Sequence, residues 1–175
     1  IEKTMKKIFI ALAALIAFCN LAYSTDGPVT SVTPSTVSYG DPISVPVTVS
    51  DFVNVGGISL TLNYDGSILQ FQGVSLNSQI SGSYTNGSAP GEFVLSYTCY
   101  PGINIGDGEE LFTLTFNYIG PSSGGTTLLT WAETPPEANE YSDPLGTAYG
   151  KTPFDDFFIP GSVTVNATLD GPVTT

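Results

Sequence analysis

From Ile43 to Ser50, and again from Ile58 to Tyr64, every second residue is apolar: Ile43, Val45, Val47 and Val49 in the first run, Ile58, Leu60, Leu62 and Tyr64 in the second. A period of two gives a strand one buried face and one wet face; wound as a helix, the same residues would scatter around the axis. The residues between the runs, ending in Gly56-Gly57, read as a turn-rich connector. Two strands cannot shield each other's apolar faces, so the rest of the chain must supply more of them.

It does so at short intervals. The pattern predicts an edge strand near Ser35–Ser38, a strand from Ile68 to Val74 after the Asp65-Gly66 turn, and others over Glu92–Thr98, Leu111–Ile119 and Thr126–Ala132. Phe157–Ile159 and Gly161–Val165 read as a closing pair. Asn77–Gly91 is expected to be a loop or weak hairpin around Asn86-Gly87, and Pro101–Glu110 a loop. The stretch Glu133–Phe154, rich in Pro, Gly and acids, is too long for a structureless connection, so a folded surface loop or a short hairpin is expected there. No run of helical period follows the first two dozen residues. The fold class is therefore all-β, a sandwich of two sheets built from short strands.

The beginning of the chain reads differently. Met5-Lys6-Lys7, an apolar run rich in Ala, Leu and Ile, and then Ala22-Tyr23-Ser24 have the order of a signal peptide cleaved after Ser24, with residues 1–4 upstream of the start. The run is short for a membrane span. Cys19 follows Phe18, where a lipoprotein signal takes a small residue, so export without a lipid anchor is expected. The predicted organisation is signal peptide 1–24, linker 25–36, β-sandwich 37–166, and 167–175 as a linker or the start of a next module.

Charge narrows the partners. The chain carries a net charge of −12, and of its 4 bases only Lys151 lies beyond Ser24. Such a field repels phosphate backbones and anionic lipid surfaces, which sets aside nucleic acid and membrane insertion of the mature chain. Neutral polymers, metal cations and basic proteins remain. Of the 2 Cys, Cys19 departs with the signal, so Cys99 has no partner for an internal disulfide and is expected to pack as a small hydrophobe. There is no His to act as a base.

The order of these landmarks resembles a known family. Gly40-Asp41-Pro42-Ile43-Ser44-Val45-Pro46-Val47 is similar to the opening strand of cohesin domains. Ile58-Ser59-Leu60-Thr61-Leu62-Asn63-Tyr64-Asp65, with Ile68-Leu69-Gln70-Phe71 and Gly73-Val74, resembles their next segment. Leu111-Phe112-Thr113-Leu114-Thr115-Phe116 and the ending Phe158-Ile159-Pro160-Gly161-Ser162-Val163-Thr164-Val165 continue the likeness, which runs from Val37 to Val165. The resemblance implies a nine-stranded sandwich of jelly-roll topology that binds a dockerin module on a flat sheet face, within assemblies that degrade polysaccharides, and implies no catalysis. Aligning Tyr64-Asp65 with the family's Tyr-Asp places Gly57 and Ser59 where many cohesins carry the Asn and Asp that hydrogen-bond the dockerin helix. Gly57 has no side chain and Ser59 is a weaker acceptor, so a standard dockerin does not follow from the resemblance.

Candidate sites follow from these readings. A partner-binding face would use Ser59, Thr61 and Asn63 together with Leu95 and Tyr97, the parity of Glu92–Thr98 being left open. Sugar stacking needs exposed coplanar rings, for which Tyr100, Trp131 and Tyr141 are candidates, although Trp131 alternates with Leu129 and so has an inward parity. Asn104, Asp107 and Glu109 offer hard oxygen ligands to Ca²⁺ in a Gly-containing loop without EF-hand spacing; otherwise no cofactor is expected. Acid pairs such as Glu109-Glu110, Glu137/Glu140 and Asp155-Asp156 fall in predicted loops and read as solvated surface rather than as a glycosidase pair, so no enzyme is expected. The expected function is a secreted, non-catalytic cohesin-like module, extracellular or at the cell surface, binding a dockerin-type module or a carbohydrate. The alternatives are a carbohydrate-binding module with loop aromatics and a structural or adhesive surface domain.

Overall fold

The computed structural model describes residues 26–81, 84–87, 90–135 and 138–167. The signal peptide expected at 1–24, the tail beyond 167 and Glu137 lie outside them. Among the described residues the strands are β1 (Val29–Val32), β2 (Ser35–Ser38), β3 (Ile43–Ser50), β4 (Phe52–Tyr64), β5 (Leu69–Leu76), β6 (Tyr84–Gly87) and β7 (Glu92–Ile105). They continue with β8 (Glu110–Tyr118), β9 (Gly124–Trp131), β10 (Glu140–Ser142), β11 (Phe158–Ile159) and β12 (Gly161–Asn166), and a single helical turn, α1 (Phe154–Phe157), precedes β11. No helix among the described residues is long and apolar enough to cross a membrane.

The expected two-sheet sandwich forms, divided more finely than nine strands. One sheet has the order β11-β1-β3-β8-β5; the other runs β2-β12-β9-β4-β7-β6, with β10 paired to β4. All pairings are antiparallel except β1 with β11 and β2 with β12. In those two pairs the chain crosses between the sheets side by side, once after Val32 and once after Ile159. Gly161 is needed there, since a Cβ would lie 2.6 Å from the Val32 carbonyl oxygen.

The alternation seen in the sequence is what fills the core. Ile43, Val45, Val47 and Val49 of β3 face Ile58, Leu60 and Leu62 of β4 across the sandwich, with Phe52, Phe93, Leu95, Phe112, Leu114 and Phe116 fully buried among them. The connector predicted between the two runs does not exist. Asp51 alone turns the corner from one sheet to the other, in the left-handed region at φ 55, and β4 begins at the next residue. Asp and Asn tolerate that region better than most residues, and Asn54 adopts it as well (φ 55), at the irregular start of the β4–β7 pairing.

Other expectations need correction. The stretch 25–36 is not a linker: β1 lies inside the five-stranded sheet with Thr30 and Val32 buried, and β2 begins at Ser35. The loop predicted from Pro101 starts later, because β7 runs on to Ile105 beside the first residues of β4. Within Glu133–Phe154 the expected hairpin is present: β10 pairs with β4, a tight turn follows, and Ala148 bridges back to Ser142.

Candidate functional site: the outer face of the seven-stranded sheet

The inward residues of β4 leave Gly57, Ser59, Thr61 and Asn63 pointing outward, half-exposed, as expected. Register carries this row sideways. Thr98, Ser96, Val94 and Glu92 of β7 stand opposite them in that order; Thr130 of β9 lies beside Asn63, and Glu140 and Ser142 of β10 lie beside Ser59 and Gly57. The result is a field of hydroxyls and other polar groups with two aliphatic residues, Val94 and, further along β9, exposed Leu128.

Leu95 and Tyr97 do not belong to it. Both are buried, Leu95 completely, and the Tyr97 hydroxyl donates to the Ser81 carbonyl at 3.1 Å. Burial raises the Tyr97 pKa, with Cys99 beside it adding to the shift. The outward parity of β7 is that of Ser96 and Thr98. The bulk of Phe93, Leu95 and Tyr97 was the signal for it, since large apolar groups gain most from the core side.

Two of the three rings offered for sugar stacking are interior. Trp131 is 5% exposed, donates from Nε1 to the Ile159 carbonyl at 3.1 Å and packs on Phe158. Tyr141 is 3% exposed, stacks on Phe158 and meets Phe52 edge-on. Its hydroxyl hydrogen-bonds Thr30 Oγ1 of the opposite sheet at 2.7 Å, and burial drives its pKa far above the ordinary tyrosine value. Tyr100 is 80% exposed.

The oxygens offered to calcium are each turned to a backbone N–H. Asn104 Oδ1 accepts from Asn54 at 2.8 Å, Asp107 Oδ1 from Asp51 at 2.9 Å, and Glu109 Oε2 from Gly106 at 3.2 Å. Asp107 fastens the corner at Asp51 to the loop after β7, Asn104 ties the end of β7 to Asn54 of β4, and Glu109 closes the loop on itself. Among the described residues no three His, Cys, Asp or Glu gather into a metal-binding group.

The hairpin that starts with β10 shapes one end of the face. Gly56 and Gly57 pass directly beneath it: a Cβ on Gly57 would collide with Ser142 Oγ, and one on Gly56 with the backbone of Pro144. The glycine pair marks this close approach rather than a turn. Between β9 and β10 the edge of β4 is bridged by buried Asn139, whose Oδ1 accepts the Thr61 N–H at 2.8 Å while its Nδ2 donates to the Ala132 carbonyl at 2.5 Å. Lys151 Nζ donates to the Asn139 carbonyl at 2.6 Å and lies 3.8 Å from a Glu140 carboxylate oxygen. In the turn, Asp143 Oδ1 accepts the N–H groups of Leu145 and Thr147, at 2.9 and 2.8 Å. Those bonds, that of Thr147 foremost, hold the carboxyl below its usual range. Sequence reasoning missed this hairpin's role because its partner strand lies some eighty residues away.

Chemically the face offers many weak donors and acceptors held in register by strand pairing. That suits recognition of a surface more than transformation of a small molecule.

Comparison with known proteins bears on what such a face is for. The family model described as "Cohesin domain" matches residues 28–143. Among solved structures, the seventh ScaB type I cohesin of Pseudobacteroides cellulosolvens aligns with a TM-score of 0.68 at 18% identity, over 86% of this chain and 98% of that one. A non-cellulosomal cohesin from the archaeon Archaeoglobus fulgidus aligns at 0.64 and 20% identity, over 81% and 92%. The OlpA cohesin of Clostridium thermocellum, solved in a type I cohesin–dockerin complex, aligns at 0.66 and 11% identity, over 80% and 99%. No curated protein matches the chain.

Proposed function

The chain belongs to the cohesin family, and from that premise we propose that it is a non-catalytic module that binds a dockerin-type protein on the outer face of the seven-stranded sheet. The family match is the observation that carries this reading, since it spans the chain from β1 through β10 and so includes β4, β7, β9 and β10, which carry the row centred on Ser59, Thr61 and Asn63. Relatives of the same fold are solved with dockerins bound. The face supports it by being polar and sheet-borne, with Ser59, Thr61 and Asn63 in register with Ser96, Val94 and Glu92, and Thr98 opposite Gly57. In this reading the signal-like order of residues 1–24 supports a module outside the cell or at its surface, and the cohesin family supports an assembly of the polysaccharide-degrading kind. Binding of carbohydrate keeps only Tyr100 of its three rings, which is a poor platform for a sugar chain.

The test is calorimetric titration of the exported chain with a panel of dockerin modules. At least one should bind, and Thr61→Arg and Ser96→Arg, both at half-exposed or exposed positions on the face, should abolish binding without moving the melting curve. Undiminished binding by both variants would place the partner elsewhere. Retardation on polysaccharide gels that vanishes in Tyr100→Ala would replace this reading with the carbohydrate one.

A further inference from the structure

We propose that Tyr100 and the hairpin tip Pro144-Leu145 form an apolar anchor at the Gly57 end of this face, and that the partner segment seated on it is cationic and contributes an apolar side chain. The inference rests on the protein-binding reading above and adds where, and with what chemistry, the partner is selected.

Exposure is the first observation. Leu145 is 85% exposed, Tyr100 80% and Val53 65%, and the three surround one hairpin. Tyr100 lines the groove on one flank, with Gly56, Gly57, Pro144 and Gly146. Val53 lines the groove on the other flank, with Asp143 and Tyr149. Leu145 is the tip between them. Elsewhere the face is mostly polar, and its other well-exposed apolar residue, Leu128 of β9, stands alone away from the hairpin, so the apolar surface gathered here is where burial against a partner would be worth most.

The tip is also held in place. Besides the Asp143 bonds already described, the Gly146 N–H donates to the Asp143 carbonyl at 3.0 Å and the Asp143 N–H to the Thr147 carbonyl at 2.9 Å. The Tyr149 hydroxyl donates to the Asn54 carbonyl of β4 at 3.0 Å. A displayed apolar residue on a fixed turn loses little entropy on binding.

Charge supplies the partner's sign. Asp26, Asp51 and Asp143 line the groove beside the tip. The one base among the described residues, Lys151, is directed to the Asn139 carbonyl and Glu140. A segment bearing Lys or Arg is drawn to this end, and an acidic one repelled.

The experiment uses the strongest-binding dockerin from the panel. Tyr100→Ala and Leu145→Ser should each weaken it about tenfold, as interfacial anchors do. Leu128→Ser, on the same sheet away from the hairpin, should change affinity by less than about twofold. The association rate should fall steeply with added salt. Full affinity in both anchor variants overturns the anchor while leaving the protein-binding reading intact. A salt-independent association rate overturns the cationic partner. Failure of every dockerin to bind the wild type overturns the reading itself, and this inference with it.

Discussion

Gly56 and Gly57 differ in what stands above them. At position 56 a Cβ would overlap Pro144 and come within 2.9 Å of the Asp143 carbonyl carbon, all backbone atoms; at position 57 it would meet a hydroxyl that can rotate, with Ser142 Cβ at 3.6 Å. Backbone cannot yield without moving the whole hairpin. Gly56→Ala is therefore expected to cost about 1–3 kcal/mol, the range of overpacked sites. Gly57→Ala should cost less, and less again when combined with Ser142→Ala. Urea midpoints at constant m-value measure both; equal costs would contradict the close backbone approach at Gly56. The same residue-scale reading applies to calcium. Asn104, Asp107 and Glu109 each already accept a backbone N–H, and among the described residues no three His, Cys, Asp or Glu come together as a cation site. We propose that no ion is required: the melting temperature should be the same in calcium and in excess chelator, and a rise of several degrees with calcium would restore the site.

At the scale of the element, the hairpin after β9 is held by three side chains of different kinds. Asn139 satisfies the Thr61 N–H, which β9 and β10 leave open on the edge of β4, and the Ala132 carbonyl just past β9. Asn139→Ala strands both, and unsatisfied buried groups cost about 1–3 kcal/mol each. The expected loss in a denaturation curve is therefore larger than for a cap or surface mutation. Lys151→Met keeps the aliphatic stem and removes the charged donor to the Asn139 carbonyl; its pair with Glu140 is partly exposed and contributes little. Asp143 makes the hairpin sensitive to acid. Its folded pKa is lowered, chiefly by the Thr147 N–H, so the unfolded turn takes up a proton more readily than the folded one. The contribution is therefore complete above the ordinary carboxylate value of 3.8 and is lost as the pH falls through the depressed one. Amide exchange at Leu145 and Thr147, corrected for intrinsic rates, should stay protected from neutrality down to about pH 5 and open below about pH 4. Asp143→Asn keeps an acceptor without the titration and should flatten that dependence.

Over the whole molecule, what was legible in the sequence followed locality. The alternation of β3, β4 and β8 gave the sandwich, because each apolar row states its own inward face. The outward direction of Ser59, Thr61 and Asn63 followed from the same parity. Leu95 and Tyr97 were misplaced although their strand was found, since a strand with apolar groups on both faces is settled only by comparing their bulk. Tyr141 lay beyond reach, for nothing near it in sequence reports that β10 would pair with β4 and turn the ring into the core. That ring now ties the two sheets together through Thr30, and the link can be tested. Tyr141→Phe leaves the buried Thr30 hydroxyl without its partner and should cost about 1–3 kcal/mol, whereas adding Thr30→Val removes both polar groups and should recover most of the loss. Burial raises the folded pKa of Tyr141 above the ordinary value of 10.0, so its contribution is complete below that pH and disappears as pH rises through the folded value. Alkaline unfolding followed by tyrosinate absorbance should thus begin above about pH 10 and carry the Tyr141 signal only as the chain unfolds. In Tyr141→Phe the dependence should be shallower. If the wild type released this proton before any loss of circular dichroism, the hydroxyl would be open to water and the inter-sheet bond would not exist as described.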